Sequence, residues 1–414
     1  MQVRRWAQAS FAGIFILVTA MTAGPATVAK EAPPAARNPW VGAWGYAASP
    51  ATETPGPTRP AGTFRYRIRL TQGGAGVALR FTNPENAVPL VISGASVAIA
   101  APRGFAGIAA PMAAGFAGKA GVTVEAGASI STDPIRLPVT SGQDVIVTLT
   151  TAAPSTDVAG SAGFVTEFTP AAPAAPAEAT RARPFVSLVS VHNPRAPCTI
   201  VTLGDSITEG ARGKDASWRG WPGRFARRLI EASPQSHCGV VNMGIGGNRL
   251  LAYGRGPSGI ERFGRDVLAV PGVTHVVLLE GINDIVRSAS PRERAIGSAQ
   301  LIAGYRQIIE MAHKRGIRVI GGTMTPAWGS RFITPELERI RRETNRWIVE
   351  PGNFDASIDF ESALADGTTP PALKPAFDSG DHLHPADDGY AAMAASVPLN
   401  LFAASVPMSG AKPE

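Results

Sequence analysis

The stretch Thr199-Ile200-Val201-Thr202-Leu203-Gly204-Asp205-Ser206-Ile207-Thr208 opens the part of the chain that decides the fold. Residues 199–203 form a short apolar run rich in β-branched side chains, as in a strand buried on both faces, and Gly204 ends it. Downstream, residues 221–231 read as a helix, with Pro222 suited to its first turn. Residues 240–243 predict a strand, 258–268 a helix and 276–279 a strand. A long helix over 295–315 ends at Gly316, and a strand follows at 317–320. Residues 335–349 predict a helix, 356–360 a short strand and 386–401 a last helix. This alternation argues for a parallel sheet covered by helices on both faces. In such sheets function collects at the carboxyl ends of the strands.

Upstream the texture is different. Residues 38–192 read as all-β. In residues 63–70, Phe64, Tyr66, Ile68 and Leu70 fall on one face and Arg65, Arg67 and Arg69 on the other, a half-buried strand. Gly73, Gly74 and Gly76 predict a turn, and Val77, Leu79 and Phe81 alternate again, so a hairpin is expected. Further short strands are expected at 90–92, 122–124 and 145–149, punctuated by Pro and Gly, and together they suggest a β-sandwich. The Ala/Pro-rich stretch 169–184 reads as a loop or linker, and 185–191 as the last strand of this part.

The chain has 414 residues, 44% hydrophobic and 17% charged, enough for two globular domains. Its formal charge is +7, or about +5 without Arg4 and Arg5. No dense Lys/Arg run is interleaved with aromatics, so no nucleic-acid partner is expected. Arg4 and Arg5 precede an apolar stretch from Ala9 to about Ala23, and small residues then offer cleavage sites, for example after Ala29. This reads as a signal peptide over residues 1–29. An uncleaved anchor is the competing reading, but the stretch is short for a span and Gly24-Pro25 ends it.

Four segments carry chemistry. Gly204-Asp205-Ser206 places a hydroxyl just past the first strand. Gly244, Gly246 and Gly247 follow the second strand, where glycine allows close backbone approach to a ligand or a tight turn. Asn283 follows the third strand, where its amide can donate to a developing oxyanion or cap a helix. Finally, Asp381 and His384 stand three apart in Asp378-Ser379-Gly380-Asp381-His382-Leu383-His384-Pro385. A metal site of His382, His384 and an Asp is the alternative there. The other histidines, His192, His237, His275 and His313, are scattered and lend it no support, so no metal is expected.

In this order and at successive strand ends, the segments resemble the SGNH/GDSL hydrolase family, named for Ser, Gly, Asn and His. Those letters fall on Ser206, Gly247, Asn283 and His384, and Ile207 stands where the pattern has Leu. The resemblance covers residues 198–404. Less specifically, the β-region with Trp40 and Trp44 resembles the accessory domain that precedes some secreted members. The resemblance implies a flavodoxin-like three-layer α/β/α hydrolase domain with a parallel sheet at 198–404. An all-β sandwich-like accessory domain at 38–192 would precede it.

The resemblance also implies a mechanism. His384 takes the proton of Ser206, and Asp381 holds and stabilises the imidazole. The backbone N–H groups of Ser206 and Gly247 and the side chain of Asn283 form the oxyanion hole. No cofactor is required. Neighbours in an extended segment point to opposite sides, so Asp205 reads as structural. His382 reads as a supporting residue, since the family places the base just before the Pro. A histidine base predicts activity that falls on acidification. The cysteines fit the same frame. Cys198 precedes Ser206 by eight residues and Cys238 precedes Gly246 by eight, so parallel neighbouring strands would place both at the rim opposite the site. A Cys198–Cys238 disulfide is expected, consistent with export.

The expected activity is a secreted or periplasmic serine esterase acting on short-chain acyl esters, acetyl foremost. Its substrate would be a small molecule or a polysaccharide, with no stable membrane span after leader cleavage. Trp218, Trp221 and Trp328 stand near strand ends, to stack on sugar rings or to pack the core. Two other classes stay open. An O-acyltransferase would use the same residues with a sugar hydroxyl as acceptor. A non-catalytic carbohydrate-binding protein would be expected to lack Ser206 or His384, and both are present.

Overall fold

The structure is a computed structural model that describes residues 38–49, 58–85, 87–156, 166–172, 176–180, 185–196, 198–287 and 296–402. The expected leader and its cleavage site lie outside the described residues. The described residues belong to one compact unit, Arg37–Glu414. No described helix is long and apolar enough to cross a membrane.

The C-terminal half is built on a five-stranded sheet in the order Gly239–Gly244, Thr199–Gly204, Val273–Leu279, Arg318–Gly322, Ala356–Ile358, every pair parallel. Numbered along the chain, that order is 2-1-3-4-5, the flavodoxin-like arrangement. All six residues of Thr199–Gly204 are buried, because successive side chains feed opposite faces. Val201, Leu203, Val276, Leu278 and Val319 pack against Phe263, Leu301, Tyr305, Ile308 and Ile340 on one face. Ile200, Val240, Val277 and Ile320 pack against Trp221, Phe225, Tyr390 and Met393 on the other. These are the two helical layers of an α/β/α sandwich. Cys198 and Cys238 sit immediately before the paired strands Thr199–Gly204 and Gly239–Gly244, and a disulfide joins them with Cα atoms 4.6 Å apart.

The N-terminal half is antiparallel. A four-stranded sheet runs Trp40–Gly45, Val186–His192, Val77–Thr82, Ser129–Ser131. A seven-stranded sheet includes Thr166–Pro170, Gly62–Arg69, Asp144–Thr151 and Leu90–Ile99. Phe64, Tyr66, Ile68, Val147 and Leu149 of the larger sheet share a core with Leu79, Phe81, Val186 and Val189 of the smaller, the sandwich expected from the alternation. The arginines of Gly62–Arg69 face outward, and Arg67 and Arg69 both bind Asp144.

Several local expectations need correction. Residues 63–70 and 77–81 do not form a hairpin. Gly62–Arg69 pairs with Asp144–Thr151 and Thr166–Pro170, whereas Val77–Thr82 pairs with Val186–His192 in the other sheet. The connection is pulled off the first sheet: Thr71 Oγ1 donates to the Val240 carbonyl (2.9 Å) and Gln72 Nε2 to the His237 carbonyl (2.6 Å). The stretch 169–184 is not all loop. Thr166–Pro170 enters it, and Glu178–Thr180 pairs with that strand. The helix expected over 258–268 is α-helical at Gly259–Phe263 and π-helical at Gly264–Leu268. The short strand stops at Ile358, and Phe360 begins a helix capped by Asp359. The last α-helix, Asp387–Ser396, stops before Pro398, and a 3-10 turn follows at Leu399–Phe402.

The two halves are bonded together. Gly42 N–H donates to Thr199 Oγ1 (2.8 Å), and Val240 N–H to Thr71 Oγ1 (2.9 Å). Tyr46 Oη donates to Glu209 Oε1 (3.2 Å), so the antiparallel half reaches the helix that begins at Ser206.

Candidate active site

The first parallel strand ends at Gly204, and one turn of helix, Ser206–Glu209, begins almost at once. Gly204 is required there, because a Cβ would run into Thr208 and the Leu279 carbonyl. Asp205 caps the turn by accepting from Ile207 N–H (2.8 Å), which satisfies one orphan donor of the helix start. The structural reading of Asp205 therefore stands on capping rather than on an extended backbone. Ser206 occupies the first helical position with its side chain half-buried.

His384 arrives from the loop before Asp387–Ser396. Its Nε2 lies 2.9 Å from Ser206 Oγ, and its Nδ1 lies 2.8 Å from Asp381 Oδ2. The other carboxylate oxygen of Asp381 accepts the backbone N–H groups of His384 (2.8 Å) and Leu383 (3.1 Å). One carboxylate thus fixes both the ring and the backbone of the residue three positions on. Partial burial works to raise the Asp381 carboxyl, but the hydrogen bonds from His384 and Leu383 outweigh it and hold the group below the usual carboxylate range. His382 turns away: its Nδ1 lies 2.6 Å from Asp378 Oδ2, and its backbone takes a φ of +56°.

The glycine segment follows the second strand, which pairs in register with the first at Gly204↔Gly244. Ile245 N–H donates to the Gly204 carbonyl (3.0 Å), which draws the segment toward Ser206. Gly247 has φ +75°, a conformation that favours glycine, and the Arg255 stem packs across it. Among the described residues, no acceptor takes the backbone N–H of Ser206 or of Gly247. Asn283 sits in the first turn of Ile282–Arg287, and its Nδ2 donates to Asp205 Oδ2 at 3.4 Å. The structure thus brings Ser206, His384 and Asp381 into one hydrogen-bonded series, with Gly247 and Asn283 on the neighbouring strand ends.

Beneath these loops lies a buried polar group that the motifs do not reveal. Arg262, fully buried, donates to the carbonyls of Gly204 (2.9 Å) and Met243 (2.6 Å), to Asn248 Oδ1 (2.8 Å) and to Glu280 Oε1 (3.3 Å). It ties the tips of three strands. Asp284 accepts Leu250 N–H (2.7 Å) and Leu251 N–H (2.9 Å), fixing the far end of the glycine segment. Burial raises Asp205 to about 7 and Asp284 to about 6, and it pushes Glu280 well above the usual range. In an amphipathic helix an arginine reads as solvent-facing, so nothing in the sequence singles out Arg262.

Of the tryptophans considered for sugar stacking, Trp221 is wholly in the core. Trp218 and Trp328 are half-buried, and the Arg69 guanidinium lies over the Trp218 ring at 5.3 Å. Among the described residues, no cluster of three or more His, Cys, Asp or Glu side chains is placed to hold a metal ion.

Residues 202–392 match the family model described as the GDSL-like lipase/acylhydrolase family. Solved structures similar to the chain include a GDSL-like lipase from Bacteroides thetaiotaomicron, 21% identical with a TM-score of 0.37, over 48% of this chain and 85% of that one. An acetylxylan esterase from Geobacillus stearothermophilus is 23% identical with a TM-score of 0.39, over 48% of this chain and 91% of that one. No curated protein matches the chain.

Proposed function

We propose, from the match of residues 202–392 to the GDSL-like lipase/acylhydrolase family model, that the chain is an exported esterase that removes short acyl groups, acetyl foremost, through an acyl-enzyme on Ser206. The observation that carries this reading is the series Ser206 Oγ, His384 Nε2, His384 Nδ1, Asp381 Oδ2, with contacts of 2.9 and 2.8 Å. A hydroxyl becomes a useful nucleophile only when a base takes its proton, and His384 stands where it can do so. Asp381 fixes the tautomer and stabilises the imidazolium. The Ser206 hydroxyl oxygen attacks the ester carbonyl. The oxyanion receives the N–H groups of Ser206 and Gly247 and the amide of Asn283. His384 then protonates the leaving alcohol, and water, deprotonated by the same imidazole, releases the acid.

The division into a β-sandwich accessory domain at 38–192 and a hydrolase domain at 198–404 belongs to this reading, as does a polysaccharide as the alcohol. The Cys198–Cys238 disulfide supports an oxidising compartment, hence secretion or the periplasm. The test is hydrolysis of p-nitrophenyl esters from acetate to octanoate by wild type and Ser206→Ala. Activity on the short esters that is lost in Ser206→Ala is the expected result. Activity that survives the substitution overturns the assignment of the nucleophile, and a preference for octanoate overturns the short-chain reading.

A further inference from the structure

A second cavity, of about 510 Å³, opens between the four-stranded sheet and the loop before Val273–Leu279. None of its lining residues belongs to the candidate active site, and Pro271 places it toward the amino ends of the parallel strands, opposite Ser206. Arg80 lines it and is only 9% exposed. Arg80 Nε donates to Ser187 Oγ at 3.3 Å, and Nη1 reaches the Ala269 carbonyl at 3.5 Å. Among the described residues no carboxylate stands within ion-pair distance of it. The acid in that neighbourhood, Asp266, is already committed. It accepts Arg265 Nε (2.7 Å) and Nη2 (2.9 Å), and Arg262 Nη1 (3.0 Å). Arg262 and Arg265 thus pair with Asp266, while Arg80 feels its charge but forms no ion pair with it.

Taking a guanidinium out of water without a counter-charge is costly. Such a group persists more readily where a bound anion offsets the cost. The rest of the cavity says what that anion carries. Trp40, Leu188 and Pro271 supply an apolar wall, while the hydroxyls of Ser131 and Ser190 have no hydrogen-bond partner among the described residues. The volume is that of a small-molecule site, and apolar walls with a few polar groups are the usual composition of one. Arg80, with no ion pair of its own, offers its guanidinium to one carboxylate of a ligand. An apolar wall with free hydroxyls matches the faces and edges of a sugar ring.

We propose that this cavity binds a small sugar carboxylate, a uronate, with its carboxylate on Arg80 and its ring against the Trp40–Leu188 wall. The site is independent of the catalytic reading. It gives the seam between the two halves a binding role beyond holding them together.

The experiment is calorimetric titration of the full chain with D-glucuronate, D-glucose and acetate, on wild type, Arg80→Gln and Ser131→Trp. Ser131 is exposed and stands directly across the strand pair from Arg80, so Ser131→Trp fills the ligand space beside the guanidinium while Arg80 itself is kept. Glucuronate should bind, with glucose and acetate each weaker by about ten-fold or more, since each lacks one half of the recognition. Both variants should lose about ten-fold or more in glucuronate affinity while hydrolysing p-nitrophenyl acetate as wild type does. No glucuronate binding, equal binding of glucose or acetate, or unchanged affinity in Ser131→Trp overturns the proposal. If Arg80→Gln fails to fold, Ser131→Trp decides alone.

Discussion

Arg212 places its Nε 3.5 Å from Asp381 Oδ2, the same oxygen that meets His384 Nδ1 at 2.8 Å. Arg212 has φ +67°, a left-handed backbone that an L side chain adopts at about 1–2 kcal/mol. His382 is held likewise at +56°, so two of the three such non-glycine residues among those described flank the Asp381 carboxylate. Strain of this kind persists where the surroundings impose it, and it clusters at working sites. Arg212 draws on the charge that would otherwise stabilise the imidazolium alone. In Arg212→Gln the acid limb of kcat/KM should move to higher pH by a few tenths of a unit, the scale of a solvent-screened pair whose arginine is 64% exposed. The gap between variant and wild type should shrink at about 1 M salt, where the screening length is about 3 Å. Coincident pH profiles would leave Arg212 without an electrostatic role.

The Asp381 carboxyl carries a second consequence. Its folded-state affinity for a proton lies below the ordinary value, because the hydrogen bonds of His384 and Leu383 outweigh the effect of partial burial. A group depressed in this way contributes stability above its unfolded value, about 4, and the contribution is lost as pH falls through the folded value. In Asp381→Asn, kcat should fall by about 1000- to 10,000-fold, as when a triad acid is neutralised. The variant should also be less stable at neutral pH, with the gap closing below about pH 4 in thermal melts. Equal stability at pH 7 would mean that the carboxylate does not hold the loop.

Asn283 offers a cleaner separation of binding from chemistry. Its Nδ2 is steadied by Asp205 Oδ2 at 3.4 Å, and its other amide hydrogen has no partner among the described residues. Asn283→Ala should lower kcat by about 100- to 1000-fold with little change in KM, the mark of a donor used only in the transition state. A change in KM alone would place Asn283 in substrate binding instead.

The residues that bear chemistry were legible because they follow strands, and strands buried on both faces announce themselves by unbroken apolar runs. Ser206, Gly247 and Asn283 each follow such a run, and His384 stands next to a proline in a polar loop. What escaped was long-range. Val77–Thr82 carries an alternation that fits a hairpin, but Thr71 and Gln72 bond to the other half of the molecule and carry the chain to a second sheet. Arg262 lies in an amphipathic segment where a cation reads as exposed, yet it binds carbonyls of two strand tips. Neither fact has a local signature, because each depends on partners about 20 to 170 residues away.

The acids around Arg262 predict an unusual dependence of stability on pH. Glu280 Oε1 meets Arg262, while Oε2 is buried with no hydrogen-bond partner among the described residues. Burial, with the nearby Asp205 charge, raises Glu280 well above the usual range, and Asp205 reaches about 7. The folded state therefore keeps protons that the unfolded chain releases above about pH 4, and these groups make the protein less stable as pH rises toward 7. Glu280→Gln retains the acceptor toward Arg262 and removes one titration. Its melting temperature relative to wild type should rise from pH 5 to pH 8. A constant difference across that range would show that Glu280 does not hold a proton in the folded state.

The Cys198–Cys238 bond lies at the amino ends of the strands whose carboxyl ends carry Gly204 and Gly244, so stability and activity should separate on its removal. The bond closes a sequence separation of 40 residues, for which chain-entropy arguments give about 4 kcal/mol. The Cys198→Ser/Cys238→Ser double variant should melt several degrees lower, and reductant should shift wild type toward it without shifting the variant. Both cysteines are buried against the layer that contains Phe225 and Phe402, away from Ser206 and His384. At 25 °C, well below the transition, kcat on p-nitrophenyl acetate should stay within about two-fold of wild type, since no group in contact with the ester changes position. A large loss of kcat in a folded double variant would mean that strain at the strand starts is transmitted along Thr199–Gly204 to the nucleophile, and that the bond positions the site as well as stabilising the sheet.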